Sequence, residues 1–247
     1  MQYVEILRAR RVLFWYTALL LGLLVIFAIS LANGHTEIPR AQIPLNTILL
    51  SCAVGGYGIA TAVSTGLLCE AATVPITWTR PVPRALIAWR FVAVDLVAIA
   101  LGYAVMLAFV FACLALVKVL HSVAITPAYP MALALGFATA AMWYALIVLA
   151  TARLSGHGAR VAGLSWLVFI AVGAVWAAPV PAPIHLVLTA LNYLDPLSYI
   201  DGVTVSSGAA RADHPIVLNL ISRLLLATLI SAGALVAGVR LWSTREA

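Results

Sequence analysis

The chain has 247 residues, of which 64% are hydrophobic and only 9% are charged, and its mean hydropathy is +1.10. A soluble domain carries about 25% charged residues, so this composition excludes a soluble globular protein and indicates an integral membrane protein. The formal net charge of +6 comes without a soluble basic face, so we interpret it as a sign of membrane topology and contact with anionic lipid, and we expect no nucleic-acid partner.

Six apolar runs are long enough to cross a bilayer, because a hydrocarbon core about 30 Å thick needs about 20 mostly apolar helical residues. They lack the alternation of a barrel strand, and an unclosed sheet would leave backbone groups unpaired in lipid. The sequence therefore predicts an all-α integral membrane fold and a single transmembrane domain over residues 1–247. The predicted spans are residues 12–32, 45–68, 91–117, 131–152, 161–178 and 216–242.

The first apolar run is too long for a signal-peptide core and lacks a convincing cleavage site, so we interpret it as a retained span. Arg8, Arg10 and Arg11 precede it. For the first ten residues the sequence predicts one of two arrangements. They form either a short amphipathic lead-in helix along the inner interface or a frayed charged tail that sets the orientation.

Orientation follows from the basic residues of the loops. With both termini inside, ten of the 14 Lys and Arg residues are cytoplasmic, as the positive-inside rule requires. The four basic residues then left outside are Arg40, Lys118, Arg211 and Arg223.

The second predicted span has a stripe of small and hydroxyl residues at spacings of three or four. The stripe predicts either close helix packing with interhelical hydrogen bonds or the lining of a translocation path. In the fifth span, aromatic residues and a glycine share a face, which indicates either anchoring in lipid or a surface for a bulky apolar cargo. The stripe comprises Thr47, Ser51, Gly55, Gly58, Thr61 and Thr65, and the face comprises Trp166, Phe169, Gly173 and Trp176.

Residues 70–90 form a polar interruption with three prolines, three arginines, two tryptophans and one carboxylate. This composition predicts a docking element at one membrane face, or else an ordinary positive-inside turn with interfacial aromatic residues. Asp95 lies inside the third predicted span, and an ionisable residue at membrane depth is a candidate functional group. A structural ion pair with Arg84 or Arg90, or snorkelling to the interface, is the simpler hypothesis.

The sequence provides little for catalysis or metal binding. Ser155 and His157 lie on a predicted cytoplasmic turn without an orienting carboxylate nearby. The chain lacks a phosphate-binding loop motif, so any ATP-driven work needs a partner. The cysteines show no disulfide or metal-site pattern, and the predicted outside histidines lie on separate loops. These residues are Cys52, Cys69 and Cys113, and His35, His121, His185 and His214.

Residues 182–202, before the last span, are apolar but are broken by Pro196 and closed by Gly202. Such a segment predicts a re-entrant or interfacial hairpin, because backbone bent at membrane depth must be buried in protein or face a cavity.

Three features together resemble the membrane subunit of ABC-2 type transporters, a permease family of bacterial exporters. The first is the loop with Glu70, Thr73 and the run Thr79-Arg80-Pro81-Val82-Pro83-Arg84, which is similar to the family's glutamate, threonine and Pro-Val-x-Arg pattern. The second is the run Asn192-Tyr193-Leu194-Asp195-Pro196-Leu197-Ser198-Tyr199, which is similar to the family's Asn-Pro-Leu-x-Tyr element. The third is the plan of six spans with both ends inside.

The resemblance implies two permease chains, identical or homologous, assembled with two ATP-binding-cassette subunits that bind ATP and Mg. It also implies a coupling helix within residues 73–84, set into a groove of the ATPase. The coupling residues would be Glu70, Thr73, Trp78, Arg80, Pro81 and Arg84. The candidate path residues are Thr47, Ser51, Thr61, Thr65, Trp166, Phe169 and Trp176, and the re-entrant motif residues are Asn192, Asp195, Pro196 and Tyr199.

We therefore expect a multi-pass permease of a bacterial plasma membrane that exports a hydrophobic or amphipathic substrate, without catalytic residues, a cofactor or a metal of its own. The alternatives are a small polytopic membrane enzyme that works through Asp95, Asp195 and the outer histidines, or a membrane anchor that binds an ATPase without moving cargo.

Overall fold

The computed structural model describes residues 2–33, 45–65, 82–117, 128–152, 158–176, 181–200, 203–206, 209–212 and 219–244. Seven α-helices, one 3-10 turn and one hairpin of two short strands are found within these ranges. The long helices are α1 (Gln2–Ala32), α2 (Leu45–Val63), α3 (Arg84–Leu116), α4 (Ala128–Thr151), α5 (Gly158–Trp176) and α7 (Leu220–Ser243). Between α5 and α7 lie α6 (Ala182–Asn192), the 3-10 turn (Pro196–Tyr199), β1 (Val203–Ser206) and β2 (Ala209–Ala212).

Four helices are long and apolar enough to cross a membrane. They are Tyr3–Ala32 in α1, Arg84–Leu116 in α3, Tyr129–Thr151 in α4 and Leu220–Ser243 in α7. The apolar parts of α2 and α5 are shorter, at Ile48–Val63 and Arg160–Val172. The mainly helical class is thus confirmed, and each predicted span corresponds to a helix, but the count of six spans stays a prediction.

Two predicted boundaries at the start of helices are wrong. The first is the boundary of α1, which begins at Gln2 and runs without interruption to Ala32. The residues before the apolar run therefore form neither a separate lead-in nor a frayed tail. Their backbone stays helical because Glu5 is fully buried and Arg8 is hydrogen-bonded to other helices.

The second is the boundary of α3, which begins at Arg84, seven residues before the predicted span. Pro83 precedes it with φ −54° and ψ 127°, an extended conformation that ends the preceding segment and directs the chain into the helix. Residues 84–90 thus belong to the helix and not to the predicted polar loop of residues 70–90.

The core lies around α4. In the apolar stretch of 18 residues that marks it as a candidate span, 67% of the residues are buried, whereas the corresponding fraction in α1 is 6%. α4 packs most extensively against α7, while α2 packs against α3 and α4, and α1 packs against α3. Glycines permit the closest approaches. A Cβ atom at Gly102 in α3 would lie 2.5 Å from Cγ1 of Ile59 in α2, and one at Gly238 in α7 would lie 3.3 Å from the Leu149 backbone in α4.

The two strands pair antiparallel, with Val203 opposite Ala212 and Ser206 opposite Ala209. This hairpin was not predicted from the sequence. It follows the segment for which a re-entrant hairpin was expected, where α6 and the 3-10 turn are found instead of a single bent loop. Entry of that segment into the membrane stays a prediction.

Candidate functional site: a buried polar cluster beside the predicted coupling loop

Four polar side chains from three helices meet where α1 and α3 begin and α4 approaches its end. Glu5 and Arg8 come from α1, Asp95 from α3 and Tyr144 from α4, and we call this group the polar cluster. Glu5, Asp95 and Tyr144 are at most 1% exposed, and the Arg8 side chain is 20% exposed. Charges buried in an apolar helix bundle are costly unless they are paired, so the geometry of the pairing matters.

The Arg8 guanidinium is the centre of the polar cluster. Its Nε donates to Oε1 of Glu5 at 3.0 Å, and its Nη2 lies 2.5 Å from the same oxygen and 3.4 Å from Oδ1 of Asp95. The other oxygen of Asp95 accepts a hydrogen bond from the Tyr144 hydroxyl at 2.6 Å. One guanidinium thus contacts the carboxylates of Glu5 and Asp95, and Tyr144 donates a further hydrogen bond to Asp95. Each buried carboxylate therefore has a charge-assisted hydrogen bond.

Arg8 also holds the end of α2. Its Nη2 donates to the Val63 carbonyl at 2.8 Å, and its Nη1 lies 3.4 Å from the Thr65 hydroxyl oxygen. The last carbonyls of a helix have no partner within the helix, so Arg8 caps α2 from a neighbouring helix. Residues 66–81 connect α2 to Pro83 and α3, and the polar cluster therefore holds both helices that flank the predicted coupling loop.

Most of the predicted coupling residues lie outside the described residues. Arg84 is described, and it is the first residue of α3. Glu70, Thr73, Trp78, Arg80 and Pro81 are not described, so their role stays a prediction. The expected ion pair of Asp95 with Arg84 or Arg90 is wrong in its partner, because Asp95 pairs with Arg8 of α1 and Arg90 is exposed.

A second group of side chains surrounds Thr61 of α2, and we call it the aromatic cluster. The indole nitrogens of Trp143 in α4 and Trp166 in α5 lie 3.1 Å and 3.2 Å from the Thr61 hydroxyl oxygen, which accepts from both. The two indoles have their ring centroids 4.8 Å apart, and Tyr57 of α2 stacks on Trp143 at 5.4 Å. Thr61 and Trp166 were predicted as path residues, and the structure brings them together; Tyr57 and Trp143 were missed.

The stripe of small and hydroxyl residues in α2 contacts several helices. The Gly55 carbonyl accepts from the Tyr16 hydroxyl of α1 at 3.0 Å, Thr61 accepts from the two indoles, and Thr65 lies against Arg8. A Cβ at Gly58 would meet open space. These contacts agree with the packing interpretation at Gly55, Thr61 and Thr65, while a translocation path along the stripe stays a prediction.

The remaining four path residues are described only in part. Ser51 is half-buried on α2. Thr47, Phe169 and Trp176 lie within helices, but their side chains are outside the described set.

The predicted re-entrant motif folds on itself through local hydrogen bonds. The Asp195 carboxylate accepts from the Leu197 amide at 2.9 Å and caps the 3-10 turn, and the Ser198 hydroxyl donates to the Asn192 carbonyl at 2.7 Å. The Tyr199 hydroxyl donates to the Tyr193 carbonyl at 2.8 Å. Burial raises the pKa of Tyr199 to about 12, so this hydroxyl stays a neutral donor at physiological pH.

Arg223 connects this motif to the last helix. It is 1% exposed, and its Nη1 donates to the Tyr199 carbonyl at 2.6 Å. From the sequence, Arg223 is counted among the outside basic residues and also falls within the predicted span of residues 216–242. In the structure it lies in the first turns of α7 and binds a buried carbonyl, and its membrane side stays a prediction. Asn219 caps α7 by accepting from the Ser222 amide at 2.8 Å.

The described ranges contain no group of three His, Cys, Asp or Glu side chains that could hold a metal ion. Asp95 and Asp195, which the enzyme alternative uses together, belong to different clusters among the described contacts: Asp95 binds Arg8 and Tyr144, and Asp195 caps the 3-10 turn. Cys52 and Cys113 are free thiols, while Cys69 and the Ser155–His157 pair are outside the described residues.

A comparison with models of protein families, with curated proteins and with solved structures finds no match for this chain.

Proposed function

We propose that the chain is the transmembrane subunit of an ABC-2 type ATP-driven transporter. The observation that carries the proposal is the contact of Arg8 with both flanks of the predicted coupling loop. The same guanidinium binds the Val63 carbonyl at the end of α2 and the Asp95 carboxylate about three turns into α3.

This contact supports force transfer from the loop to the helix bundle. A displacement of the loop would move α2 and α3, and Arg8 and Tyr144 would pass that movement to α1 and α4. Coupling of this kind needs an element with two discrete arrangements that both sites bias. Helices that are fixed to one another at the loop end would move as one such element.

The motif of residues 192–199 supports the proposal independently. In the chain order expected for the family, it follows α5 and precedes α7, and Arg223 holds it against α7. The sequence similarity to the family's Asn-Pro-Leu-x-Tyr element therefore falls on a compact, buried turn. Four helices of spanning length agree with a membrane subunit.

In the proposed assembly, two copies of the permease or two homologous permeases span a bacterial plasma membrane six times each, with their termini inside. Two ATP-binding-cassette subunits bind ATP and Mg on the cytoplasmic side. The cargo is hydrophobic or amphipathic, enters between the second and fifth spans of the two permeases, and is exported.

Copurification tests the partner. The full chain, tagged at one end and extracted from its native membrane after mild crosslinking, should retain an ATP-binding-cassette subunit that mass spectrometry identifies. Retention of other proteins only would overturn the proposal.

Replacement of the loop tests the coupling. A Gly/Ser linker in place of residues 66–81 should abolish retention of the ATPase or its stimulation by cargo. The matched control replaces residues 118–127, which are predicted to lie on the opposite membrane face, and it should leave both properties intact. Undiminished coupling in the first variant would contradict the mechanism.

A further inference from the structure

A groove on the outer face of the bundle lies between α1 and α3, away from the aromatic cluster. It has a volume of about 470 Å³. Its lining includes Ile6 and Leu13 of α1 and Val94, Val97 and Leu101 of α3, which are apolar, together with Arg10. The groove lies between two helices of membrane-spanning length, and its apolar lining is suited to contact with lipid.

The groove is deep because small residues form its floor. Ala9 is 5% exposed and Ala98 is 2% exposed, whereas Val97 is 59% exposed and Leu101 is 53% exposed. Ala93 also lines it. From Ala93 to Leu101 the helix rises about 12 Å, at 1.5 Å per residue. The result is a narrow apolar slot that runs along the bundle.

The shape of the groove favours a single chain of methylene groups. Its floor includes alanines and its walls are larger, exposed apolar side chains. An extended acyl chain is thin enough to lie along such a slot and to contact both.

The charged residues at the groove indicate which chemical group its occupant carries at one end. Arg10 lines the groove and is exposed. Arg90 is exposed as well, and it precedes Ala93 and Val94 by three and four residues, which places it on the same face of α3. Helical side chains tilt toward the N-terminus of their helix, so both guanidinium groups lie toward the end from which α1 and α3 start. A guanidinium binds a phosphate through forked hydrogen bonds.

We propose that this groove binds an anionic phospholipid, with one acyl chain between α1 and α3 and the phosphate beside Arg10. The site depends only on the chain being in a membrane, and it is independent of the proposed transport function. The lipid covers apolar wall residues that are otherwise exposed, and its headgroup charge complements the two arginines.

Native mass spectrometry of the delipidated full chain tests the proposal. Phosphatidylglycerol and phosphatidylcholine with the same acyl chains are added at equal concentration. We expect the wild-type chain to retain phosphatidylglycerol at least five-fold better. Arg10→Gln should remove this preference, while Arg11→Gln, which changes an exposed neighbour outside the groove lining, should keep it.

A second pair of variants tests the slot. Ala93→Leu fills the groove and should reduce retention of both lipids, whereas Ala100→Leu adds the same volume at an exposed position of α3 outside the lining and should not. All four substituted positions are exposed, and unchanged elution in size-exclusion chromatography verifies that the variants fold.

Equal retention of the two lipids by the wild-type chain would overturn the proposal. So would a preference for phosphatidylglycerol that survives in Arg10→Gln. A lipid-free dimer that Ala93→Leu dissociates would also overturn it, because the groove would then be an interface between two copies.

Discussion

Nη2 of Arg8 in α1 lies 3.4 Å from Oδ1 of Asp95 in α3, although 87 residues separate them along the chain. The same nitrogen contacts Glu5 and the end of α2. A single side chain thus joins the start of the chain to both flanks of the predicted coupling loop.

The first prediction concerns the order of damage within the polar cluster. Arg8→Met should lower the free energy of unfolding more than Asp95→Asn does, because it leaves two buried carboxylates without their cation. Removal of one partner of a buried ion pair costs about 3–5 kcal/mol. Asp95→Asn still offers an oxygen to Tyr144 and should cost less. Thermal unfolding in detergent measures the order.

Two controls accompany this prediction. Arg11→Gln changes an exposed arginine of the same helix and should leave the unfolding temperature unchanged. The combined variant Glu5→Gln, Arg8→Met, Asp95→Leu removes all three charges and should be more stable than Arg8→Met alone. Equal loss in Arg8→Met and Arg11→Gln would show that the ion pairs contribute nothing.

The second prediction concerns the shared acceptor in the aromatic cluster. Thr61→Val keeps the shape of the side chain but removes the oxygen to which Trp143 and Trp166 donate. Loss of an acceptor from a buried donor costs about 1–3 kcal/mol, so the unfolding temperature should fall. Thr61→Ser keeps the hydroxyl and should lose little. A ranking in which Ser is worse than Val would mean that the methyl group matters more than the hydroxyl.

The third prediction uses two glycines in adjacent helices. Gly102→Ala should destabilise the protein by about 1–3 kcal/mol, the usual cost of overpacking, because the new Cβ would lie 2.5 Å from Cγ1 and 3.1 Å from Cβ of Ile59. Gly58→Ala meets open space and should be neutral or slightly stabilising, since alanine is the better helix former. Chemical or thermal unfolding of the two variants in the same detergent checks the difference in sign.

The fourth prediction concerns the tie between the 3-10 turn and α7. Arg223→Met keeps much of the side-chain volume but removes the donor to the Tyr199 carbonyl. Hydrogen bonds to charged groups contribute about 1.5–3 kcal/mol. We expect a lower unfolding temperature and faster proteolysis of residues 200–218. Arg240→Met, at an exposed position of the same helix, is the control and should behave as wild type.

The positions of the helices were predictable because hydropathy reflects the membrane environment of each run. Their ends were not. The start of α1 is helical because Glu5 and Arg8 find partners in other helices, and charge alone suggested a lead-in or a tail. The partner of Asp95 was missed for the same reason: Arg84 and Arg90 are close in sequence, but the pairing depends on the packing of α1 against α3.

The partner of Arg223 was not predictable either. Its burial is tolerable because it donates to the Tyr199 carbonyl, a contact that depends on the packing of the 3-10 turn against α7. Thr61 and Trp166 were predicted as path residues on two separate helices, and the sequence left open whether they serve packing, lipid anchoring or a path. Their mutual contact, and the participation of Trp143, required the arrangement of α2, α4 and α5 in space.

Because two indoles donate hydrogen bonds to Thr61, intrinsic tryptophan fluorescence depends on the geometry of the aromatic cluster. Trp143 and Trp166 are two of seven tryptophans, and their centroids are 4.8 Å apart, close enough for their emission to depend on each other. A movement of α5 relative to α2 and α4 that separates the rings should change the wavelength and the intensity of tryptophan fluorescence. A change in the relative positions of these three helices is therefore observable without an attached dye.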